Sequence, residues 1–180
     1  LHMIRNHIGE DLFKKCLKVY IEEYNGKSVE TDNFQKIIEE TSGKSMHTFF
    51  DQWIYRKGHP ELDVEISLEH SNNEDDNENK ITRLKVKIIQ SQELNDITDT
   101  SNIFEFPLEI RLISSNDKGE TEEQINTILI NKKITEYIFH MQKNSTIEWV
   151  SIDPQFKILK KVKSIKVVDE TKEIQIKDLL

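Results

Sequence analysis

The spacing of apolar residues changes from one regular pattern to another within residues 49–62 of this chain. Before this segment the apolar residues recur every three or four positions, which is the spacing of an amphipathic helix. After it they alternate with polar residues, which is the spacing of a half-buried strand. Gly58 and Pro60 lie between the two patterns, and a helix cannot continue through Pro60. A helical segment is therefore expected to end here and a β-rich segment to begin.

Glycines divide the N-terminal third into pieces of helix length. Four of the five glycines fall there: Gly9, Gly26, Gly43 and Gly58. Residues 1–8 have the pattern of a helix interior, a single apolar stripe lies between the first two glycines, and further helices are predicted to start near Thr31 and Ser45. Trp53 in the last helix is predicted to be a buried core residue, because aromatic residues at helical spacing usually pack.

The alternating segment predicts about seven strands joined by polar turns, as in an antiparallel β-sandwich. The predicted strands lie at residues 62–68, 84–88, 104–112, 126–130, 137–141, 147–152 and 159–167. The fold class is thus α+β. We predict a helical segment over residues 1–60, a β-sandwich over residues 61–167, and a linker with the start of a helical domain over residues 168–180. Because the first and last predicted helices lack a cap or a stop signal, we expect the chain to be a piece of a longer protein.

The composition excludes several classes of function. The formal net charge of −8 argues against a general nucleic-acid binder. No apolar run approaches the roughly 20 residues that span a bilayer, so no membrane insertion is expected. The single cysteine rules out an intramolecular disulfide and fits a reducing cytoplasm.

The chain contains no recognisable catalytic motif. None of its six histidines is followed by Glu, so the His-Glu-x-x-His zinc motif is missing. Cys16 lies within an apolar stripe and is interpreted as a buried structural thiol. The acidic run at residues 74–76 lacks the ligand pattern of a calcium loop. No catalytic, cofactor-binding or metal-binding residue is predicted.

Five lysines form a basic patch near the C-terminal end. They are Lys157, Lys160, Lys161, Lys163 and Lys166. Such a patch can dock an acidic partner or a neighbouring domain, but a solvated strand face that offsets nearby acids is the preferred interpretation.

Three separated segments resemble the zinc aminopeptidases of the alanyl-aminopeptidase (gluzincin) family. The first is Leu-His-Met-Ile-Arg-Asn-His-Ile-Gly-Glu-Asp-Leu-Phe over residues 1–13. The second comprises Thr-Asp-Asn-Phe over residues 31–34, Ser-Gly-Lys-Ser over residues 42–45, Phe-Phe-Asp-Gln-Trp over residues 49–53 and Gly-His-Pro-Glu-Leu over residues 58–62. The third is Ile-Asp-Pro over residues 152–154, followed by Leu159 and Lys160. They are similar to the close of the family's catalytic domain and to the β-sandwich that follows it.

The resemblance implies a zinc-dependent parent enzyme that removes N-terminal residues from peptides. The zinc ligands and catalytic groups of the family all precede the segment that matches Leu1, so none is carried over to a residue of this chain. This piece would then be an inactive structural module between the rest of the catalytic domain and a C-terminal helical domain. It is expected to hold no cofactor itself, and copies of it could associate with each other.

A second hypothesis is a catalytically inactive relative. The scaffold subunit of a general transcription factor resembles these peptidases, and in such a protein the sandwich would be a docking module for other proteins. Whether His-Glu-x-x-His is encoded upstream of Leu1 separates the two hypotheses.

Overall fold

A computed structural model describes residues 1–70, 82–92, 103–116, 118–141, 145–168 and 175–176. The acidic run at residues 74–76 lies outside the described residues. The chain divides into two compact units, Leu1–Gly58 and His59–Leu180.

The N-terminal unit is helical, as predicted. Its elements are α1 (His2–Ile8), α2 (Glu10–Tyr24), α3 (Thr31–Ser42) and α4 (His47–Phe50), and a π-helical turn (Asp51–Tyr55) continues α4. Their apolar faces form one buried cluster of Ile4, Ile8, Phe13, Cys16, Ile38, Met46 and Phe50. Each helix is too short to be stable alone, and this shared cluster supplies the burial that stabilises them together.

The connection from α3 to α4 is fixed by backbone contacts. Gly43 ends α3 with φ at 69°, a left-handed conformation that glycine adopts without steric cost, and its N–H donates to the Glu39 carbonyl at 2.8 Å. The Glu39 carboxylate in turn accepts from the Met46 N–H at 2.7 Å. The turn thereby places Met46, which is fully buried, in the shared cluster.

Trp53 differs from its prediction, since it is half-buried rather than fully buried. Its ring packs beside Phe49, with ring centroids 6.4 Å apart, while Phe50 occupies the core at 2% exposure. The helical spacing of aromatic residues predicted the right face of the helix. The π-helical turn begins at Asp51, directly before Trp53, and widens the helix there, so that Gln52 is buried instead.

The second unit contains eight strands within the described residues. They are β1 (Glu61–His70), β2 (Thr82–Gln90), β3 (Phe106–Ser115), β4 (Thr121–Ile130), β5 (Ile134–His140), β6 (Thr146–Ile152), β7 (Lys161–Val167) and β8 (Gln175–Ile176). The first seven correspond to the seven predicted strands. They form two four-stranded sheets, one in the order β5-β2-β1-β7 and the other in the order β4-β3-β6-β8.

Alternation of side chains creates the core of the sandwich. On β1 the residues Leu62, Val64 and Ile66 are fully buried, while the residues between them are half-buried. The same alternation occurs on β2 and β3, so each sheet buries one apolar face and turns a polar face to water. Pro107 is accommodated in β3 because β6 pairs with β3 only from Ile110 onward, so no described strand pairs with that side of Pro107.

Two strand pairs depart from the antiparallel pattern. β7 pairs with β1 in parallel, and β8 pairs with β6 in parallel. β8 also lies where the start of a helix is predicted. In residues 173–177 the isoleucines alternate with Glu, Gln and Lys, and this two-residue period favours a strand over a helix.

Replacing Phe50 tests the helical core. Phe50→Ala removes a fully buried ring and should lower the free energy of unfolding by about 3–5 kcal/mol. Trp53→Ala should cost less, because part of that ring already contacts water. Denaturant unfolding followed by circular dichroism measures both, with Ile54→Ala at an exposed neighbouring position as the control. Equal losses for Phe50→Ala and Ile54→Ala would show that the core is assigned wrongly.

Candidate functional site

The described histidines do not converge on one site. His2 contacts Arg5 and Asn6 of its own helix, His7 is near Phe49, and His140 is exposed on β5. Burial lowers the pKa of His7, and the nearby Lys44 ammonium lowers it further. Across the part of the chain that the structure describes, no group of three or more His, Cys, Asp or Glu side chains is placed to hold a metal ion.

Cys16 has the environment of a structural thiol. Its side chain is fully buried in the helical cluster. Burial raises the pKa of this thiol, which disfavours the thiolate that a nucleophile requires. The predicted structural interpretation of Cys16 therefore agrees with its surroundings.

The most constrained polar group of the second unit is the Asp153 carboxylate, which lies in the turn between β6 and β7. Asp153 is only 1% exposed, yet its carboxylate accepts three hydrogen bonds. The Lys157 N–H donates at 2.9 Å, the Ile158 N–H at 3.1 Å and the Lys160 ammonium at 2.8 Å. Lys160 is itself nearly buried, so the charge of the carboxylate is neutralised inside the protein.

A second ion pair fixes the same turn to the sheet. The Lys157 ammonium lies 2.6 Å from the Glu109 carboxylate on β3, and the Asp153 N–H donates to the Glu109 carbonyl at 2.7 Å. Glu109 lies on the polar face of β3 and is nevertheless buried. The turn thus packs over that face and is held by both the backbone and the side chain of Glu109.

The turn also contains two strained residues. Asp153 and Phe156 both have φ at 52°, in the left-handed region that non-glycine residues seldom occupy. The Asp153 carbonyl accepts from the Phe156 N–H at 3.0 Å, which closes the turn. Backbone strain of this kind persists only where surrounding contacts determine it. The three bonds to the Asp153 carboxylate provide these contacts.

Four of the five predicted patch lysines form ion pairs. Beyond the two pairs of the turn, Lys161 and Lys163 on β7 both approach the Glu61 carboxylate, at 3.6 and 3.3 Å. The Lys163 ammonium, together with Lys161, lowers the pKa of Glu61. The charges of this patch are therefore offset by neighbouring acids of the same unit, as the preferred interpretation of the sequence holds.

A polar cleft at the β3–β4 hairpin offers no better arrangement. Ser114 and Glu122 line it, and the Ser114 hydroxyl is buried without a partner in the described part of the chain. The neighbouring carboxylates are already engaged: Glu123 pairs with Arg111 at 3.0 Å, and Glu120 accepts from Asn116 at 2.8 Å. Nothing in this cleft resembles an activated nucleophile or a general base.

Comparison with known proteins shows which protein family the helical unit resembles. Residues 1–53 match the model of the Peptidase family M1 domain. The resemblance to zinc aminopeptidases that the sequence motifs indicate is thereby confirmed.

Several known proteins are similar to part of this chain. Over 66 residues the chain is 30% identical to aminopeptidase N of Lactococcus lactis, a match that covers 37% of this chain and 8% of that protein. Over 67 residues it is 33% identical to glutamyl aminopeptidase of Bitis rhinoceros, covering 37% of this chain and 7% of that protein. A longer match of 118 residues, at 27% identity, relates it to tricorn protease-interacting factor F2 of Thermoplasma volcanium and covers 66% of this chain and 13% of that protein. The chain thus spans only a small part of the length of these relatives.

The fold similarity extends further along the chain than the family match. The crystal structure of Legionella pneumophila aminopeptidase A in complex with aspartic acid matches 90% of this chain and 16% of that chain, with a TM-score of 0.55 at 18% identity. At this level of identity the similarity describes the fold, and it includes both the helices and the sandwich.

The sequence motifs identified part of this arrangement. Ile152, Asp153, Pro154, Leu159 and Lys160 were singled out by the family resemblance, and the structure pairs the Asp153 carboxylate with the Lys160 ammonium. The sequence did not predict the part played by Glu109, because its alternation on β3 placed it on the solvated face. A buried Glu on a polar face depends on a turn distant in sequence, which periodicity does not report.

Truncating Asp153 tests the buried ion pair. Asp153→Ala leaves the buried Lys160 ammonium without a partner and should cost about 3–5 kcal/mol of unfolding free energy. The double variant Asp153→Asn with Lys160→Met removes both charges and should cost clearly less. Thermal and denaturant unfolding measure the difference, and equal costs for the two variants would contradict a buried ion pair.

The link between β1 and β7 predicts a dependence of stability on pH. The Ser164 hydroxyl donates to the Asp63 carboxylate, and this bond, followed by one from Ser91, lowers the pKa of Asp63. A lowered native pKa stabilises the fold above the ordinary carboxyl value of about 3.9, and this stabilisation is lost as the pH falls through the lowered value. Asp63→Asn should therefore flatten the acid limb of the stability curve. Glu23→Gln on α2 is the control, and a limb unchanged by Asp63→Asn would exclude this residue as its source.

Proposed function

We propose that this chain supplies the end of the catalytic domain and the adjoining β-sandwich of a zinc-dependent M1 aminopeptidase, an enzyme that removes N-terminal residues from peptides. The observation that carries the proposal is that residues 1–53 match the family model while 90% of the chain matches the fold of an aminopeptidase structure. Short matches in several aminopeptidases support the same enzyme class.

The role of the module in this proposal is structural. Its buried ionisable groups, the Asp153–Lys160 and Glu109–Lys157 pairs, are used to hold a turn in place. The described residues include no set of ligands that fits zinc, so no zinc ligand and no reaction step is assigned to them. The zinc of the parent enzyme would be bound by other residues.

Exposed apolar residues on the helical unit are available for contact with another part of such an enzyme. Ile21, Ile54 and Tyr55 are all at least half exposed. The rest of the catalytic domain would cover this surface, and a helical domain would follow the sandwich. None of the described helices has the length and apolar character needed to cross a bilayer. We place the parent enzyme in the cytoplasm, because the single cysteine of this chain fits a reducing compartment.

A scaffold protein without catalysis is the alternative. The relatives reported above are named as aminopeptidases or as a protease-interacting factor, and these names favour the peptidase.

A hydrolysis assay tests the proposed role of the module. The purified chain, with added zinc, should not hydrolyse alanyl or glutamyl p-nitroanilides, and calorimetry should detect no stoichiometric zinc binding. Turnover of either substrate that disappears on chelation would contradict a non-catalytic module.

The gene separates the peptidase from the scaffold. The coding sequence before Leu1 should contain His-Glu-x-x-His and a downstream Glu, because these residues hold zinc and activate water in metallopeptidases. Co-expression of that upstream region with this chain should then restore hydrolysis that neither part shows alone. A degenerate motif would support the scaffold instead.

A further inference from the structure

The four edge strands of the two sheets differ in how they are protected from pairing with other strands. An unprotected edge offers free backbone groups to another strand, and proteins usually protect edges with charge or short length. β7 carries outward lysines, β8 has only two residues, and β5 has Glu136 in its exposed row. β4 differs in the described part of the sandwich, because the one charged residue of its exposed row, Glu123, lies near its start and leaves the rest of the row uncharged.

β4 presents a long edge whose central and C-terminal part is uncharged. Residues 125–130 read Ile-Asn-Thr-Ile-Leu-Ile, without charge, glycine or proline, and such a segment has a high tendency to pair as a strand. Ile125 and Leu129 point outward and are 46% and 53% exposed, with Thr127 between them. Within the described residues β3 is the strand that pairs with β4, and no other described strand lies along the opposite edge of β4.

The charges at the two ends of β4 are complementary to each other. Glu122 and Glu123 lie near its start, and the exposed Lys132 and Lys133 follow its end. The carbonyls of both lysines accept hydrogen bonds from Gln90, at 3.3 and 2.8 Å, which fixes the backbone there. An antiparallel partner with the same order of acidic, apolar and basic residues would therefore meet opposite charge at each end.

We propose that β4 pairs antiparallel with β4 of a second copy of this chain, around a two-fold axis at Thr127. In this register Ile125 lies opposite Leu129 of the second copy, and Glu122 lies opposite Lys132 of the second copy. Each contact occurs twice, as an isologous interface requires. The pairing joins the β4-containing sheets of the two copies, each of four strands, into one eight-stranded sheet. Cross-strand apolar and ionic pairs of this kind stabilise sheets.

This register is favoured because side chains directly opposite each other in an antiparallel pair must share a face of the sheet. Ile125, Thr127 and Leu129 share the outer face. Shifting the axis to Asn126 would place Ile125 opposite Thr127 and Glu123 opposite Leu129, which loses both the apolar and the ionic pairs. Pairing of this edge does not require the proposed peptidase role.

Sedimentation velocity over a range of protein concentrations tests the interface. The chain should show a reversible monomer–dimer equilibrium. The variant with both Ile125→Lys and Leu129→Lys should weaken the dimer by roughly tenfold or more, because two apolar pairs become repulsive. Both positions are exposed, so circular dichroism should show an unchanged fold. Ile138→Lys, at an exposed position of β5, is the matched control and should leave the dimer intact.

Charge reversal tests the register. Glu122→Lys alone and Lys132→Glu alone should each weaken the dimer, and the double variant should restore it towards the original strength. A chain that stays monomeric at every concentration, open-ended assembly in place of a dimer, or a double variant as weak as the single variants would overturn the proposal.

Discussion

The buried carboxylate of Asp153 fixes the path by which the chain moves from one sheet to the other. β6 belongs to the sheet of β3, whereas β7 belongs to the sheet of β1, and the turn that begins at Asp153 connects them. Directly after Lys160, the Lys161 N–H donates to the Pro60 carbonyl at 2.9 Å and the parallel β1–β7 ladder begins. The position of β7, and with it the edge of that sheet, depends on this turn.

The cost of such a turn explains its chemistry. Two residues in the left-handed region are unfavourable, and a buried carboxylate is more so unless its hydrogen-bonding capacity is satisfied. The Asp153 carboxylate offsets both costs. It accepts hydrogen bonds from two backbone N–H groups of the turn, which holds the strained backbone in place, and the Lys160 ammonium balances its charge. The residues of the Ile-Asp-Pro and Leu-Lys motifs therefore form one turn. The length of this turn sets the spacing between Asp153 and Lys160.

Local patterns predicted the elements of this fold better than its connections. Alternation in β1, β2 and β3 and three- to four-residue spacing in α2 identify elements whose side chains bury one face, and these elements are where predicted. The parallel pairing of β7, the burial of Glu109 and the partial exposure of Trp53 were not predictable in this way. Each depends on contacts between segments distant in sequence or, for Trp53, on a widened helical turn, whereas periodicity reports only which face of an element is apolar. For the site, the sequence identified Asp153 and Lys160 through a resemblance, but their pairing inside the protein required coordinates.

The distribution of charge over the sandwich connects its fold to its surfaces. Lys161 and Lys163 of β7 and both lysines of the turn are neutralised by Glu61, Glu109 and Asp153 within the same unit, so most of the charge of this basic segment is offset at the edge that it protects. β4 differs, since Glu122 and Glu123 near its start and Lys132 and Lys133 after its end are separated by an uncharged centre that is too long for them to pair along one strand. A strand whose two ends carry opposite charge is complementary to its own reverse, and antiparallel pairing supplies that reverse. In the described part of the sandwich, the same alternation that buries the core thus leaves an edge whose outward side chains would be complementary to another strand of the same sequence.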